Sequence, residues 1–472
     1  MIKCILIYNA RLVDESMDSP GAVLIVDGKI RFIFQGYFTS GKTAEEMART
    51  ILKEDGFDEK NSSLELFNAN NLTVTPAFID MHVHLRYPGQ TEKEDLASGL
   101  KAAAAGGFGT IVAMPNTNPV VSSYEMALQI EKEAAAFGLT QVFQTVSITK
   151  EFSGDDISHL EYLDKKYVPV ITEDGRDVAS TAVMMDAMKK AADKGIIVSC
   201  HCEDPFLSIE AKNHRQIALE LIKEAGLNTW GTVDSSSKVD ASLEEAFSKE
   251  LAQADFLLEK AEDFMTARNL EIAEAVGCSI HVAHVSSKGA LEAIKKAKAK
   301  KIKNVTCEVT PHHIALDGSK PPFNRALVNP PLKDNETRTE LINAIKDGTF
   351  DVISTDHAPH TLDDKKKGAP GFPGLETSFA ICNTQLVKEK HISSSRLSQM
   401  MSANPARILG LNKGLLKNGY DADIVIVDPD ENWVVEANKF YTKGRATPFE
   451  GATLTGTVKS LIIGGKVVLE KM

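Results

Sequence analysis

Eight short apolar runs, separated by helical stretches rich in Ala and Lys, constrain the fold of this chain more than any other feature of its sequence. Each run stays apolar nearly to its end, as expected for strands that are buried on both faces of a parallel sheet. Eight strands that alternate with helices are typical of a (β/α)8 barrel, an α/β fold. We therefore predict a TIM barrel over residues 74–404. The runs are residues 74–84, 109–115, 141–148, 168–174, 196–203, 279–286, 304–313 and 351–359.

The two ends of the chain are rich in β-forming residues and differ from the middle. Residues 1–73 contain strand-like segments with a hairpin signal at Asp27-Gly28, and residues 405–472 contain more, with a second signal at Gly464-Gly465. Neither end has enough apolar strand to bury a core alone. We predict that both ends combine into one small β-sandwich domain beside the barrel.

One connection is longer than barrel loops usually are. It runs from Asp204 to Gly277, and its second half, residues 242–275, has the spacing of Leu, Phe and Ala that is typical of helices. We predict a helical insert at about residues 205–275. The insert is either a solvated elaboration of the barrel or a lid or subunit contact, and the sequence leaves both open.

Charge and composition exclude several classes of function. Lys and Arg number 53 against 65 Asp and Glu, so the net charge of −12 gives no broad attraction for nucleic acid or for an anionic membrane. No apolar run reaches the roughly 20 residues that span a bilayer. The six cysteines are scattered and do not suggest a disulfide framework. We expect a soluble, cytoplasmic protein that acts on a small molecule.

Polar residues appear where the predicted strands end. In a TIM barrel these carboxyl ends meet at one rim, where active sites form. Core packing alone does not explain seven such coincidences. The residues are His84, Asn116, Asp174, His201, His284, His312 and Asp356.

Several of these side chains have the chemistry of metal ligands. His82 and His84 point to the same side of an extended strand, because side chains alternate with period two. This pattern is weak alone, just as His201 alone could be a core histidine and Asp356 alone a turn residue. Together, four imidazoles and two carboxylates form a ligand set suited to zinc or a similar ion. Six ligands favour two ions that share a carboxylate, and they imply hydrolysis or its reverse at a carbon centre. The set is His82, His84, Asp174, His201, His284 and Asp356.

Longer motifs surround these residues. They are HVHLRYPG at 82–89, AMPNTNP at 113–119, HCED at 201–204, HVSS at 284–287, TPHH at 310–313, NPPL at 329–332 and TDHAPH at 355–360. As a set they resemble the motifs of class I-like dihydroorotases in the amidohydrolase superfamily, and the resemblance continues through residues 374–377, 404–407, 421–423 and 447–451. It implies the reversible conversion of N-carbamoyl-L-aspartate to L-dihydroorotate in de novo pyrimidine (UMP) biosynthesis.

The resemblance also implies a role for each metal ligand. One zinc ion would be held by His82, His84 and Asp356. A second would be held by His201 and His284, with Asp174 as the bridge. One or two Zn²⁺ per subunit would therefore bind, with a binuclear site favoured. Asp356 would also be the catalytic acid and base that transfers a proton to the departing amide nitrogen.

Six further residues are implied as contacts to the substrate. The first three would hold its carboxylate, for which the planar guanidinium of an arginine is well suited. The last three would contact the pyrimidine ring, two of them through backbone groups. In this order they are Arg86, Asn116, His360, Asn329, Pro373 and Gly374.

Three departures from the family pattern leave questions open. Many relatives have Asp-Asp-Gly where this chain has Glu173-Asp174-Gly175, so Glu173 could be the bridge, although alternation favours Asp174. Tyr87 stands where many relatives have an acidic residue, which puts the orientation of Arg86 in question. The insert after Asp204 means that a homodimer is only one option for the quaternary structure.

Two other classes of function stay open as alternatives. Hydantoinases, dihydropyrimidinases and allantoinases share the barrel and the metal histidines, but they typically bridge the metals with a carboxylated lysine from the fourth strand. Here Lys165 and Lys166 lie at the beginning of that run, away from the rim. The other alternative is a non-catalytic relative, which the presence of all six ligands disfavours, although fold alone never establishes function.

Overall fold

The computed structural model describes residues 2–36, 41–57, 60–225, 240–300, 302, 304–318 and 327–471. Its strands, in chain order, are β1 (Ile2–Asp14), β2 (Met17–Val26), β3 (Lys29–Gln35), β4 (Ser62–Asn68), β5 (Thr73–Pro76), β6 (Phe78–Val83), β7 (Phe108–Ala113), β8 (Gln141–Gln144), β9 (Val146–Ser147), β10 (Val170–Thr172), β11 (Ile197–Cys200), β12 (Ile280–Val282), β13 (Val305–Val309), β14 (Val352–Ile353), β15 (Ile424–Val434), β16 (Thr453–Ile463) and β17 (Lys466–Glu470).

The α-helices are α1 (Gly41–Glu54), α2 (Leu96–Ala105), α3 (Tyr124–Ala135), α4 (Thr181–Lys194), α5 (Pro205–Glu224), α6 (Ala241–Val276), α7 (Lys288–Ala299), α8 (Pro311–Ala315), α9 (Asn335–Lys346), α10 (Leu362–Lys366), α11 (Ser378–Cys382), α12 (Ser394–Ser398) and α13 (Asn404–Leu409). Short 3₁₀ helices lie at Lys150–Phe152, Ser158–Tyr162 and Ala437–Lys439. The π-helical segments are Asn383–Lys388 and Gln399–Ala403. Within the described ranges, every helix is too short or too polar to cross a membrane.

Parallel strands form a barrel in the middle of the chain. β6, β7 and β8 make a three-stranded sheet, and β9 to β14 follow one another in a six-stranded sheet. β8 and β9 belong to one apolar run and are separated only by Thr145, so that run pairs with β7 on one side and with β10 on the other. A parallel bridge between Val83 and His357 joins the first strand to the segment after the last. The predicted (β/α)8 barrel is confirmed.

Side-chain caps mark where the helices around the barrel begin. The first N–H groups of a helix have no partner within it, and a Ser or Asp side chain just before the helix accepts from one of them. Two of these caps, Asp204 and Ser287, lie within five residues of the end of a barrel strand, so the connections after β11 and β12 are short. The capping residues are Asp95, Ser123, Ser180, Asp204, Asp240, Ser287 and Asp334.

The two ends of the chain form one sheet of eight strands, β1 to β5 and β15 to β17. β5 pairs antiparallel with β15, which places Thr75 opposite Val425. Alternate residues of β1 enter different cores: Ile5 packs with residues of the C-terminal strands, while Leu6 packs in the cluster that α1 covers. The predicted composite β domain is thus part of the observed architecture.

The first apolar run differs from its prediction, because it contains two strands. β5 belongs to the sheet of the chain ends, and only β6 belongs to the barrel. The change occurs at one residue: Ala77 N–H donates to Asp423 O at 2.9 Å, and Phe78 N–H donates to Gly107 O at 3.0 Å. Apolar character cannot reveal this change, since both strands are buried. The domain limits at residues 73 and 404 otherwise stay a prediction.

The predicted helical insert contains α5 and α6, which pack against each other through small and apolar side chains such as Ala211 and Leu258. α6 is one continuous helix of 36 residues. Its second half packs on the barrel, since Met265 and Leu270 belong to the barrel core. Of α6, only the first half is therefore an addition to the barrel. Residues 226–239, which the predicted insert includes, lie outside the described residues.

A buried ion pair connects the C-terminal part of the chain to the barrel. Lys413 Nζ donates to Asp423 Oδ2 at 2.6 Å, and both side chains are more than nine-tenths buried. Lys413 also donates to Thr110 of β7 and to Gln141 of β8. Asp423 Oδ1 accepts from Gly464 N–H, beside the second hairpin.

We expect Lys413→Met to lower the stability of the protein by about 3 kcal/mol, because it leaves the Asp423 carboxylate buried without a cation. The midpoint of thermal unfolding, followed by circular dichroism, should fall by several degrees. Lys417→Met, at an exposed lysine nearby, should leave the midpoint unchanged. A midpoint for Lys413→Met equal to that of the parent protein would contradict this account.

Candidate active site

Six side chains converge at the carboxyl ends of the barrel strands. His82 and His84 lie at the end of β6, and their rings point to the same side with centroids 5.3 Å apart. His201 follows β11 and His284 follows β12, and their centroids are 4.6 Å apart. The two carboxylates follow β10 and β14. The predicted set thus meets in one place, and its members are His82, His84, Asp174, His201, His284 and Asp356.

Asp174 lies between the histidines. Its Oδ1 is 3.1 Å from His82 Nε2 and 3.4 Å from His201 Nδ1. Its Oδ2 is 3.4 Å from His84 Nε2. His284 joins the cluster through His201, since the Nε2 of His284 is 2.8 Å from the Nδ1 of His201. One carboxylate therefore contacts three of the four imidazoles.

Asp356, which follows β14, contacts the two histidines at the end of β6. Its Oδ1 is 3.1 Å from His84 Nε2 and 3.6 Å from His82 Nε2. The neighbouring Glu173 does not take part, because its carboxylate accepts from Thr149 N–H at 2.9 Å. Asp174, rather than Glu173, faces the histidines, as strand alternation predicts.

The donor atoms of the cluster fit a metal site. His82, His84 and Asp356 have ligand atoms close enough to hold one ion, and so do His82, Asp174 and His284. Among the described residues, His82 Nε2 and Asp174 Oδ1 are buried with no hydrogen-bond partner. Buried polar atoms without a partner cost roughly 1–3 kcal/mol each, so a ligand that satisfies several of them is favoured. Imidazole nitrogens and carboxylates suit a divalent ion such as zinc.

The electrostatics of the cluster favour a cation. Burial lowers the pKa of His82, but the charge of Asp174 and the hydrogen bond to Glu308 outweigh it and raise this pKa well above its ordinary value. Burial raises the pKa of Asp356, yet its hydrogen bond to His84 and the charge of His82 lower it to about 2. The carboxylates therefore stay ionised at neutral pH. The negative field that raises the pKa of His82 and of His201 also attracts a metal ion.

Three site residues have a left-handed backbone that side chains rarely adopt. They are Arg86 with φ +55°, His284 with φ +31° and Asp356 with φ +47°. Such conformations cost of order 1–3 kcal/mol each and persist only where the surrounding structure enforces them. Here the chain leaves the barrel wall at the end of a strand, and the sharp turn directs each side chain over the rim.

Glu308 of β13 supports the cluster and was not predicted. Its carboxylate accepts from His82 Nδ1 at 2.8 Å, from His281 Nε2 at 3.0 Å and from the His284 main-chain N–H at 3.2 Å. With its Nδ1–H donated to Glu308, the neutral His82 ring has its lone pair on Nε2, towards the cluster. The sequence signal that could have identified Glu308 is a charged residue within a mostly apolar strand. His281 lies behind the metal-ligand histidines and contacts them only through Glu308.

A cavity of about 200 Å³ opens beside the cluster. It contains the predicted substrate contacts Arg86, Asn116, Asn329 and His360, and also Pro370 and Gly371. Pro373 and Gly374 are not among its lining residues. The N–H of Gly374 donates instead to His357 Nδ1 at 3.1 Å. Pro370 and Gly371, three residues earlier, line the cavity, and the contact of Pro373 and Gly374 with the ring stays a prediction.

Arg86 is buried in the wall of this cavity. Its Nε donates to Pro359 O at 3.2 Å, and its Nη2 lies 3.1 Å from His360 Nε2. No carboxylate of the described residues forms a hydrogen bond with it. Burial lowers the pKa of Arg86 to about 10, so the guanidinium keeps its charge at neutral pH. Since Arg86 only donates, His360 Nε2 accepts and its proton is on Nδ1.

The two asparagines of the cavity are held differently. Asn116 accepts from His84 Nδ1 at 2.9 Å and donates to Asp174 Oδ2 at 3.1 Å, so it orients two ligands of the cluster. Asn329 Oδ1 accepts from Arg215 of α5. His312, one of the polar residues predicted at the rim, is buried on α8 against Phe372 and does not line the cavity.

Comparison with known proteins agrees with this geometry. A family model described as the amidohydrolase family matches residues 73–468. The chain belongs to the amidohydrolase family. It is 37% identical over 468 residues to the dihydroorotase of Clostridium botulinum, covering 99% of this chain and 100% of that protein. It is 38% identical over 416 residues to the dihydroorotase of Geobacter metallireducens, covering 87% and 91%. These relatives confirm the expected resemblance and class this amidohydrolase as an enzyme that hydrolyses cyclic amides.

Solved structures of other amidohydrolases share the fold. An L-hydantoinase (dihydropyrimidinase) from Arthrobacter aurescens has a TM-score of 0.77 at 22% identity, covering 100% of this chain and 97% of that one. A D-hydantoinase has a TM-score of 0.77 at 23% identity, covering 100% and 95%. At this level of identity the likeness establishes the architecture, a barrel with a β domain, and does not establish the substrate.

We expect Glu308→Gln to weaken zinc binding by about 10–100-fold, the usual effect of removing a carboxylate that orients a metal-binding histidine. The affinity is measured by competition with a coloured chelator. Glu131→Gln provides the control, because the carboxylate of Glu131 accepts a main-chain hydrogen bond from Gln144, outside the cluster. Equal zinc affinities for Glu308→Gln and the parent protein would show that Glu308 does not support the ligands.

Proposed function

We propose that this amidohydrolase is a zinc-dependent dihydroorotase, which interconverts N-carbamoyl-L-aspartate and L-dihydroorotate in de novo pyrimidine biosynthesis. The observation that carries the proposal is the buried, charged Arg86 in the cavity wall beside the cluster of histidines and carboxylates. A cyclic amide that also bears a carboxylate satisfies both features at once. The identity to dihydroorotases over nearly the whole chain supports the same substrate.

Arg86 and His360 would bind the substrate carboxylate. A guanidinium buried without a carboxylate partner loses hydration and gains no ion pair, so an anionic ligand is strongly favoured there. His360 accepts from Arg86 at its Nε2 and so orients the guanidinium, while its own Nδ1 is buried. Burial, together with the charge of Arg86, lowers the pKa of His360 to about 2, so this ring stays neutral. Asn116 would contribute its remaining amide hydrogen.

The six clustered ligands would hold one or two zinc ions, with a binuclear site favoured. When bound, the metal supplies a water that is nucleophilic at neutral pH and polarises the scissile carbonyl. Asp174 Oδ1 and Oδ2 face different histidines, which suits a bridging role. Asn116 and Glu308 would keep His84 and His82 in the required orientation.

Asp356 would move the proton. With a pKa of about 2 it is ionised at neutral pH and can act as a base. In the hydrolytic direction its carboxylate would take the proton of the attacking water and deliver it to the departing amide nitrogen. In the ring-closing direction the same group would take the proton from the ureido nitrogen. Asp356 lies in the cavity wall, within reach of a bound ring.

Ring binding would involve Asn329 and the wall segment at Pro370 and Gly371. This modifies the contacts expected from the family pattern, in which Pro373 and Gly374 contact the ring. The main-chain N–H of Gly374 is already donated to His357 and that of Gly371 to Leu327 O, so neither group could bind the ring without breaking a bond, and the preference for Gly371 rests on its place in the cavity wall. The carbonyl of Pro373 stays part of the original prediction.

The competing functions have less support. A bridging lysine, typical of hydantoinases, would have to come from the strand that ends at Asp174, and Lys165 and Lys166 are exposed at the other end of that segment. Hydantoin and allantoin also lack the carboxylate that Arg86 would bind. A non-catalytic relative would not need the complete cluster of ligands or the cavity beside it.

The setting of the enzyme is also part of the proposal. All six cysteines are free and buried, which suits a reducing cytoplasm. A homodimer would cover exposed apolar side chains on the described part of the insert, among them Phe206 and Ile209 on α5 and Phe256 and Phe264 on α6. Gel filtration with light scattering measures that state directly.

The substrate is tested with purified, zinc-loaded protein. We expect turnover of dihydroorotate in the hydrolytic direction and of carbamoyl aspartate in the reverse direction, both followed by the ultraviolet absorbance of dihydroorotate. Hydantoin and allantoin are the matched controls, since they present a cyclic amide without the carboxylate. Faster turnover of either control than of dihydroorotate would reject the proposed substrate.

The role of Asp356 is tested by Asp356→Asn, which keeps the size of the side chain and removes its charge. We expect activity to fall by about 10²–10⁴-fold, the usual contribution of a general acid or base, with most of the bound zinc retained. Zinc content is measured by mass spectrometry on the same samples. Undiminished activity would exclude proton transfer by Asp356.

A further inference from the structure

Two buried cations lie behind one wall of the substrate cavity. They are Arg215 of the insert helix α5 and Lys365 of α10, and both side chains are at least nine-tenths buried. The wall in front of them consists of two segments, residues 327–329 and 369–371, which contribute four lining residues to the cavity. Neither cation is a member of the ligand cluster or of the predicted substrate contacts.

Lys365 connects the two segments through its ammonium group. Its Nζ donates to Leu327 O at 3.0 Å on the first segment, and to Ala369 O at 2.9 Å and Gly371 O at 2.8 Å on the second. These three bonds use all three of its hydrogens. Gly371 N–H also donates to Leu327 O at 2.9 Å. Leu327 O therefore accepts two hydrogen bonds, one directly from the second segment and one from Lys365.

Gly371 shows how closely the second segment is packed. Its φ is +112°, and a Cβ on it would lie 2.7 Å from Ala358 Cβ and 2.8 Å from Ala358 O. A side chain at this position would push the wall away from the segment after β14, which carries Asp356 and Ala358. The wall therefore has little freedom on the side of the barrel, and Lys365 restricts it on the other.

Arg215 acts on the first segment. Its Nη2 donates to Val328 O at 3.2 Å, and its Nη1 donates to Asn329 Oδ1. Because a guanidinium only donates, it fixes the oxygen of the Asn329 amide on the side of α5. The amide nitrogen of Asn329, which has no hydrogen-bond partner among the described residues, is left as a donor.

Ion pairing does not account for the burial of both cations. Lys365 has no ion pair among the described residues, and the ion pair of Arg215 with Asp255, at 3.8 Å, is too long for a hydrogen bond. Burial, together with the charge of Arg215, lowers the pKa of Lys365, which reflects how costly this ammonium group is to bury, while its three carbonyl acceptors favour the charged form. An apolar side chain of similar length would fill the space without that cost. What the two cations add is their donors to the wall.

We infer that Arg215 and Lys365 are positioning residues for the substrate ring: Lys365 fixes the spacing of the two wall segments, and Arg215 presents the Asn329 amide as a donor to a ring carbonyl oxygen. The inference rests on the proposed dihydroorotase function. It assigns the insert helix α5 a part in substrate recognition through Asn329, which neither a solvated elaboration nor a subunit contact would require.

The test uses zinc-loaded, full-length variants. Lys365→Met and Arg215→Met should each raise KM for dihydroorotate by about tenfold, as expected for losing hydrogen bonds from a charged group, with kcat changed by less than about threefold. Zinc content should be unchanged. The exposed neighbours on the same helices provide matched controls: Lys366→Met and Lys212→Met should have the KM of the parent protein.

A double variant separates positioning from general destabilisation. If Arg215 acts through Asn329, then Arg215→Met combined with Asn329→Ala should raise KM no more than Asn329→Ala alone. This comparison stands even if Lys365→Met does not fold. Independent, multiplying effects on KM, an unchanged KM in Arg215→Met, or an equal loss in kcat would overturn the inference. A parent protein without dihydroorotate turnover would instead overturn the proposed function.

Discussion

The hydrogen bond from His84 N–H to His357 O helps both to close the barrel and to assemble the site. It is 2.8 Å long and joins the end of the first barrel strand to the segment after the last. Its formation places the side chains of His84 and Asp356 side by side, although 271 residues lie between them in the chain. The metal ligands do not have to be gathered separately, because a closed ring of parallel strands already directs their ends to one rim. A disturbed closure would therefore damage stability and ligand geometry together.

The sequence was sufficient for the parts of the structure that have a regular period. Alternation placed His82 and His84 on one side and directed Asp174 rather than Glu173 to the cluster. The order of the apolar runs predicted the barrel. Period alone could not show that the first run contains β5 and β6 in different sheets, since both are equally apolar. It also could not find Glu308 or Arg215, whose roles depend on residues far away in the chain, such as His82 and Asn329.

The polar interior of this barrel is organised in layers. Imidazoles and carboxylates that face the cavity lack partners for some of their atoms, while the groups behind them are almost fully paired. Glu308 shows the pattern, since burial raises its pKa but hydrogen bonds from His281 and His82 bring it well below its usual range. The residues behind the cluster, such as Glu308, hydrogen-bond the Nδ1 side of the histidines, which leaves the Nε2 atoms of His82 and His84 facing the site.

The pairing of β5 with β15 cannot form until most of the chain has been synthesised. Thr75 and Val425 are neighbours in one sheet, yet about 350 residues separate them. At the usual rates of synthesis, β5 leaves the ribosome roughly 20–70 s before its partner strand exists. During that interval the edge of the N-terminal strands that later pairs with β15 has no partner strand. Because β5 is only four residues long, it keeps that unpaired edge small.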